Sequence, residues 1–199
     1  MVKQFDQDTG SNVWIVLDLH NTAQAGDGAE STEEYAVTVA ASIARHFLDS
    51  GLFVGLFAYG KEPLYMPPNR GYGHQDRIMQ ALALVKAEGT SPLEEVLEDG
   101  RRHGLDQSSV VIITPSVDPG WPASASWLFH HGAQVTTVLI DPSSFGRSGD
   151  VEAVGSRLAA GGVRTYTVRQ GQPLGEAMAR PMFAPTFTLT SRYKPEVPA

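Results

Sequence analysis

The sequence predicts an α/β protein with a doubly wound, mostly parallel six-stranded sheet, one antiparallel edge strand, and helices on both faces. Two observations lead to this fold class. Continuous apolar runs, typical of parallel strands buried on both faces, recur along the chain. Segments with helical spacing of apolar residues separate these runs. Right-handed crossovers then arrange the elements as a Rossmann-like three-layer sandwich.

The first two elements are a buried strand and a long amphipathic helix. Residues 13–17 are a continuous apolar run, which predicts the first strand. Ser31 and Glu34 have the spacing of a capping box, which predicts that a helix begins there. Its apolar residues recur at helical intervals up to Gly51.

A hairpin follows at one side of the predicted sheet. Residues 52–59 form a second apolar run, and Gly60-Lys61 is typical of a tight turn. A parallel crossover needs about a dozen residues, so this short connection requires an antiparallel neighbour. We therefore predict an antiparallel edge strand over 62–66 that ends before Pro67.

The rest of the chain alternates helices and strands up to residue 180. A second capping box, Ser91 with Glu94, and a proline at the first helical position predict another helix start. The expected strand order is 3-2-1-4-5-6. We assign residues 1–180 to one domain and the proline-rich residues 181–199 to an extended tail. The remaining predicted helices are 75–87, 121–131, 151–160 and 173–178, and the strands are 110–113, 135–140 and 163–168.

Composition excludes several classes of function. The 199 residues include 15 Lys and Arg, 22 Asp and Glu, and no cysteine, with a net charge of −7. Thiol nucleophiles and cysteine metal centres are therefore excluded. The negative charge argues against a nucleic-acid partner. No uncharged apolar run approaches the roughly 20 residues that span a bilayer, so we expect no membrane insertion of this segment and a soluble, cytoplasmic location.

The candidate site lies where ligands bind in such sheets, beyond the carboxyl ends of the strands. Asp18, His20 and Thr22 follow the first strand. The predicted chain direction brings Thr90 to the same end of the sheet. Carboxylate and hydroxyl oxygens are ligands for a hard cation such as Mg²⁺, so Asp18, Thr22 and Thr90 are candidate metal ligands. His20, which lies between the first two in sequence, is the fourth residue of this candidate site.

These residues resemble the metal-ion-dependent adhesion site of von Willebrand factor A domains, in which a strand ends in Asp-x-Ser-x-Ser and a later loop supplies a Thr. More specifically, several segments are similar to the family called domain of unknown function 58 (DUF58), whose C-terminal half has this fold. The segments that carry the resemblance are Val2–Phe5, Ser31–Tyr35, Gly51–Leu56 and Thr114–Asp118.

The resemblance implies a non-catalytic adaptor domain that binds a protein partner. In this family the partner is often a MoxR-type AAA+ ATPase. It also implies that the sequence is the C-terminal part of a longer protein, with membrane segments upstream. None of these expectations follows from composition or spacing.

The sequence also departs from the adhesion-site pattern. His20 stands where the pattern has its first Ser, and Thr114-Pro115 replaces a frequent Thr-Asp pair. Imidazole is a poor ligand for Mg²⁺ and suits zinc, nickel or copper better. We therefore predict a degenerate site that binds a divalent cation such as Mg²⁺ weakly or not at all, with loops that form a recognition surface instead.

A second hypothesis comes from the same residues. Asp18-Leu19-His20-Asn21-Thr22 also resembles the Asp-x-Asp-x-Thr opening of haloacid dehalogenase-type phosphohydrolases. Asp18 would then be the nucleophile, His20 the acid/base and Thr114 a later hydroxyl. That family also needs a later lysine and a carboxylate pair on Mg²⁺. Here Asp141 and Asp150 stand apart, and no lysine occurs between Lys86 and Lys194.

Overall fold

The computed structural model describes residues 12–183, which form a single six-stranded sheet with the strand order β3-β2-β1-β4-β5-β6. All neighbouring pairs are parallel except β2 with β3. Both the predicted strand order and the antiparallel edge strand are confirmed. The strands are β1 Asn12–Leu17, β2 Phe53–Tyr59, β3 Pro63–Asn69, β4 Ser109–Thr114, β5 Gln134–Ile140 and β6 Arg164–Val168.

Helices cover both faces of the sheet because the strand residues alternate between two apolar cores. Val13 and Ile15 pack with the helices of one face, whereas Trp14 and Val16 pack with those of the other. One face carries α1 Thr32–Asp49, α2 Tyr72–Leu84 and α6 Leu174–Ala177; the other carries α3 Leu93–Arg101, α4 Trp121–His130 and α5 Val151–Ala160.

The edge strand β3 runs through the two prolines at which the sequence predicts it to end. The register shifts between Val54 and Leu56, which pair with Asn69 and Met66. Pro67 and Pro68 therefore lie opposite a single residue, Gly55, as a β-bulge. Proline cannot donate a hydrogen bond to the ladder, but a bulge on an edge strand tolerates that loss.

Two predicted helix starts are wrong in detail. Helix α2 begins at Tyr72 rather than at residue 75, because Gly71, with φ of 91°, already turns the chain into the helix. At α3 the cap is Pro92, and Ser91 forms no capping hydrogen bond. The capping box at α1 is confirmed on its serine side, where the Ser31 hydroxyl accepts from the Glu34 amide at 3.3 Å.

The first part of the predicted tail pairs with the sheet. Phe183 forms an antiparallel bridge with Thr165 of β6, whose amide donates to the Phe183 carbonyl at 2.8 Å. The Phe183 ring packs where α5 has Gly155. The family-like run Val2–Phe5 and the tail beyond Phe183 lie outside the described residues. Within 12–183, no helix combines the length and apolar character that crossing a membrane requires.

Candidate functional site

A cleft of about 300 Å³ opens at the upper end of the sheet, the end formed by the carboxyl ends of the parallel strands. It lies between the loops that follow β1 and β4, which are neighbours in the sheet although their connections lead away in opposite directions. The N-terminal residues of α3 and α4 form its other side. The lining residues include Asp18, His20, Thr22, Leu93, Glu94, Val117, Asp118, Trp121 and Arg147.

Asp18 is the buried centre of the cleft, with only 3% of its surface exposed. Its Oδ2 accepts from the Thr114 hydroxyl at 2.6 Å, and Thr114 Oγ1 accepts from the Ser116 amide at 2.8 Å. Its Oδ1 accepts from the His20 amide at 3.0 Å. Burial raises the pKa of Asp18, and the hydrogen bond from Thr114 lowers it by less. Asp18 thus links β1 to β4.

His20 and Thr22 bond to each other at the start of a short 3-10 turn, Asn21–Ala23. The His20 Nδ1 atom accepts from the Thr22 amide at 3.3 Å and lies 2.9 Å from the Thr22 hydroxyl. An acceptor nitrogen carries no hydrogen, so the neutral ring has its hydrogen on Nε2. The His20 side chain therefore acts as the N-cap of this turn.

Thr90 reaches the upper end of the sheet, as the predicted chain direction requires. The preceding residue, Gly89, donates to the Leu19 carbonyl at 3.0 Å and accepts from the Asn21 amide at 2.9 Å. Thr90 itself is exposed and is not among the residues that line the cleft. The structure thus brings Asp18, His20 and Thr22 into one cleft and leaves Thr90 beside it.

Two residues of the cleft were missed by the sequence interpretation. Glu94 lies in the first turn of α3. Its carboxylate and that of Asp118 both lie beside Gly120, because a Cβ built on that glycine would be 2.6 Å from Glu94 Oε2 and 3.2 Å from Asp118 Oδ1. The signal for Glu94 was available, because the helix after Thr90 begins at the upper end of the sheet. Arg147 donates to the carbonyls of Thr22 and Gln24 from the loop after β5, a contact that no sequence pattern indicates.

The donor set fits Mg²⁺ poorly. Magnesium is usually held by one or two carboxylates plus waters in near-octahedral geometry. Here the single central carboxylate already accepts two hydrogen bonds, and an imidazole occupies the place of a hydroxyl. In the part of the chain that the structure describes, no three His, Asp or Glu side chains group as metal ligands. The metal role of Asp18, His20, Thr22 and Thr90 stays a prediction.

Comparison with known families decides the relationship of the chain. The family model "Protein of unknown function DUF58" matches residues 1–152, which is more than half of the sequence. The chain belongs to the DUF58 family. The predicted family membership is thus confirmed, and all residues that line the cleft of this DUF58 domain lie within the matched range.

Solved structures similar to this DUF58 domain share its fold. An aerotolerance-related membrane protein from Bacteroides fragilis matches with 18% identity and a TM-score of 0.58, over 85% of this chain and 96% of that one. BatB from Bacteroides thetaiotaomicron matches with 16% identity and a TM-score of 0.59 over the same shares. The SpRpn10 VWA domain matches with 13% identity and a TM-score of 0.57, over 84% and 93%. No curated protein matches the DUF58 domain.

Proposed function

We propose that this domain is a non-catalytic adaptor that binds a protein partner through the upper cleft and needs no tightly held metal ion. The observation that carries the proposal is the mutual bonding of the candidate metal ligands. Asp18 accepts from Thr114 and from the His20 amide, and His20 Nδ1 accepts from Thr22. Each of these hydrogen bonds occupies a lone pair that a cation could otherwise use, so fewer ligand positions remain at Asp18 and at His20 Nδ1.

The loops around the cleft are held in place, as a recognition surface requires. Arg147 ties the loop after β1 to the loop after β5 through two backbone carbonyls. Gln24 donates to the carbonyls of Asp18 and His20 and accepts from Thr32 at 2.8 Å. A surface ordered before binding loses less conformational entropy when the partner arrives.

The family resemblance supports a MoxR-type AAA+ ATPase as the partner. It also supports a longer parent protein that is anchored in a membrane. The similarity to an aerotolerance-related membrane protein supports the membrane anchor. The test is binding of the purified ATPase from the same organism to the immobilised domain. We expect Asp118→Arg at the cleft to weaken binding at least tenfold, whereas Asp76→Arg on the exposed surface of α2 leaves it unchanged. Equal effects of the two variants would contradict a cleft-mediated adaptor.

The metal prediction is tested by thermal unfolding. A ligand that binds only the folded state stabilises it by about 2.7 kcal/mol at a hundredfold excess over Kd. For a domain of this size that corresponds to a Tm shift of roughly 5–10 °C. We expect a shift near zero with millimolar Mg²⁺ or Ca²⁺. Zn²⁺ and Ni²⁺, which imidazole binds better, are tested separately, with His20→Ala as the control for binding through His20. A clear Mg²⁺ shift that Asp18→Ala abolishes would contradict the proposal.

The phosphohydrolase alternative makes the opposite prediction for catalysis. The carboxylates that it would need have other partners: Asp141 lies 3.1 Å from Arg169, and Asp150 caps α5 by accepting from the Ala153 amide. The loop after β1 contains only short 3-10 turns before α1. We expect no turnover of p-nitrophenyl phosphate with Mg²⁺ above the background rate. Turnover that vanished in Asp18→Asn would overturn the adaptor proposal.

A further inference from the structure

The upper cleft continues as a groove along the seam between α3 and α4. A second cavity of about 250 Å³ lies in this seam, and Glu94 lines both cavities. Below Glu94, helix α3 contributes Glu98 and Arg101, and α4 contributes Ser124 and Trp127. Residues 94, 98 and 101 succeed each other at helical intervals of four and three, so the groove follows α3 over about 10 Å, which is most of the length of this helix. We call this surface the α3–α4 groove.

The upper half of the α3–α4 groove carries three carboxylates. Glu94, Glu98 and Asp118 are exposed carboxylates. None of the ion pairs formed within residues 12–183 includes any of the three. The whole chain has a net charge of −7. A cationic group placed in this half of the groove would therefore meet three carboxylates that form no ion pair within the described region; the one guanidinium that lines the upper cleft, Arg147, donates to the Thr22 and Gln24 carbonyls instead.

The lower half of the groove already holds a guanidinium. The Arg101 guanidinium stacks on the Trp127 ring at 3.5 Å from the ring centroid. The His131 ring stacks on the same indole, with centroids 3.6 Å apart. Guanidinium groups favour aromatic faces and bidentate carboxylate pairing because they are planar and weakly hydrated. The Trp127 ring is thus already covered by two side chains of the chain itself, and the carboxylates nearer the upper cleft are what the groove offers to a partner.

We infer that the α3–α4 groove binds a basic segment of a partner protein, with Arg or Lys side chains of that segment paired to Glu94, Glu98 and Asp118. The inference rests on the proposed adaptor function and assigns the chemistry of its partner. Charge complementarity selects this occupant. A second copy of this acidic chain and a nucleic acid both bring negative charge to the groove, which like-charge repulsion disfavours.

The test selects random 12-residue peptides displayed on phage against the immobilised full chain. Selected peptides are then synthesised with a fluorescein label, and their Kd values are measured by fluorescence polarisation. The test variant is Glu94→Gln with Glu98→Gln, which removes the two charges and keeps the side-chain size. The control is Glu95→Gln, an exposed glutamate on the same helix that lines neither cavity.

We expect the selected peptides to be enriched in Arg and Lys. Their Kd should rise at least tenfold in the double variant, change less than twofold in Glu95→Gln, and rise with salt. Enrichment of acidic or purely apolar peptides would overturn the basic-segment inference. If Asp118→Arg then abolished the binding of those peptides, the adaptor proposal would still stand. Basic peptides that bind the double variant as tightly as wild type, or a selection without enrichment, would also overturn the inference. The adaptor proposal is tested separately, by the effect of Asp118→Arg on binding of the ATPase.

Discussion

At the scale of single residues, Asp18 couples the candidate site to the stability of the fold. It is a carboxyl group with 3% exposure that joins two central strands through Thr114. Burial disfavours the charged form, and its pKa is raised above the ordinary value of 3.8. The hydrogen bonds that hold Asp18 therefore act against a net cost of burying its charge.

The raised pKa predicts a pH dependence of stability. The folded protein binds a proton at Asp18 more tightly than the unfolded chain does, so the stability contribution of this group is greatest at low pH. It falls as the pH rises from about 4 through the raised pKa and is constant above it. Asp18→Asn has no proton to lose, so we expect its unfolding free energy relative to wild type to increase across this range. Urea unfolding of both proteins from pH 4 to 8 measures the difference, and curves that stay parallel would contradict it.

His74 supports the bulged edge of the sheet. The buried ring donates from Nε2 to the Val54 carbonyl at 2.6 Å, next to the register shift. Its tautomer follows from the Arg77 guanidinium, which can only donate and lies 3.2 Å from Nδ1. Hydrogen bonds at both ring nitrogens thus fix the orientation of the His74 ring.

A second prediction concerns this histidine. His74→Leu leaves a buried carbonyl without its donor, and we expect a loss of about 1–3 kcal/mol in unfolding free energy. His74→Gln keeps an amide donor at the end of its side chain, so it should lose about half as much or less. Chemical denaturation of the two variants provides the comparison. A leucine variant as stable as wild type would show that the Val54 carbonyl finds another donor.

At the scale of elements, the two predicted capping boxes have different outcomes. Ser31 is the N-cap of α1 and accepts from the Glu34 amide, whereas α3 begins after Pro92 and Ser91 makes no such bond. Both sites match the same sequence pattern. The backbone conformation at the loop end, which depends on tertiary packing, decides whether the serine can reach the amide.

This difference makes a matched pair of variants. We expect Ser31→Ala to lower the unfolding free energy by about 1 kcal/mol, the usual value of an N-cap. Ser91→Ala should change it by less than about 0.5 kcal/mol, the range of uninvolved surface substitutions. Thermal or urea unfolding at pH 7 measures both. A larger loss for Ser91→Ala than for Ser31→Ala would reverse the assignment of the caps.

The edge strand β3 shows a limit of reading elements from local pattern. The sequence predicts that Pro67 ends the strand, because proline has no amide hydrogen for the ladder. The strand continues to Asn69 because the bulge opposite Gly55 absorbs both prolines. Whether a proline ends a strand depends on its register with the partner strand, which the residues around the proline do not show.

At the scale of the whole molecule, Phe183 ties the end of the described chain to β6 and α5. Phe183 bridges Thr165, and its ring occupies space that α5 leaves open by having glycine at 155. A Cβ at Gly155 would lie 2.3 Å from the Phe183 ring. Two residues that are far apart in sequence thus depend on each other's size.

That dependence predicts a change of sign in a double-mutant cycle. Gly155→Ala should destabilise the wild-type protein by about 1–3 kcal/mol through overpacking. In a Phe183→Ala background the same substitution should stabilise by up to about 1 kcal/mol, because alanine favours helix more than glycine does. Urea unfolding of the four proteins gives the coupling energy. Equal effects of Gly155→Ala in both backgrounds would contradict the packing of Phe183 against α5.

The sequence alone determined the fold class, the strand order and the position of the cleft. These follow from apolar periodicity, from the short hairpin connection, and from the rule that loops after parallel strands meet at one end of a sheet. Such features depend on residues that are close in sequence or on topology. For the same reason Asp18, His20 and Thr22 could be assigned to one site before any contact was known. The family was indicated separately, by the resemblance of four short segments.

Only the tertiary structure decided which atoms of the site face each other. The Thr114 hydroxyl donates to Asp18 across 96 residues, Arg147 reaches the loop after β1, and Glu94 joins the cleft to the α3–α4 groove. These contacts depend on side-chain direction and on the distance between packed elements, which no local pattern encodes. The sequence placed candidate ligands together, whereas packing decided that Asp18, His20 and Thr22 bond to one another and to the backbone.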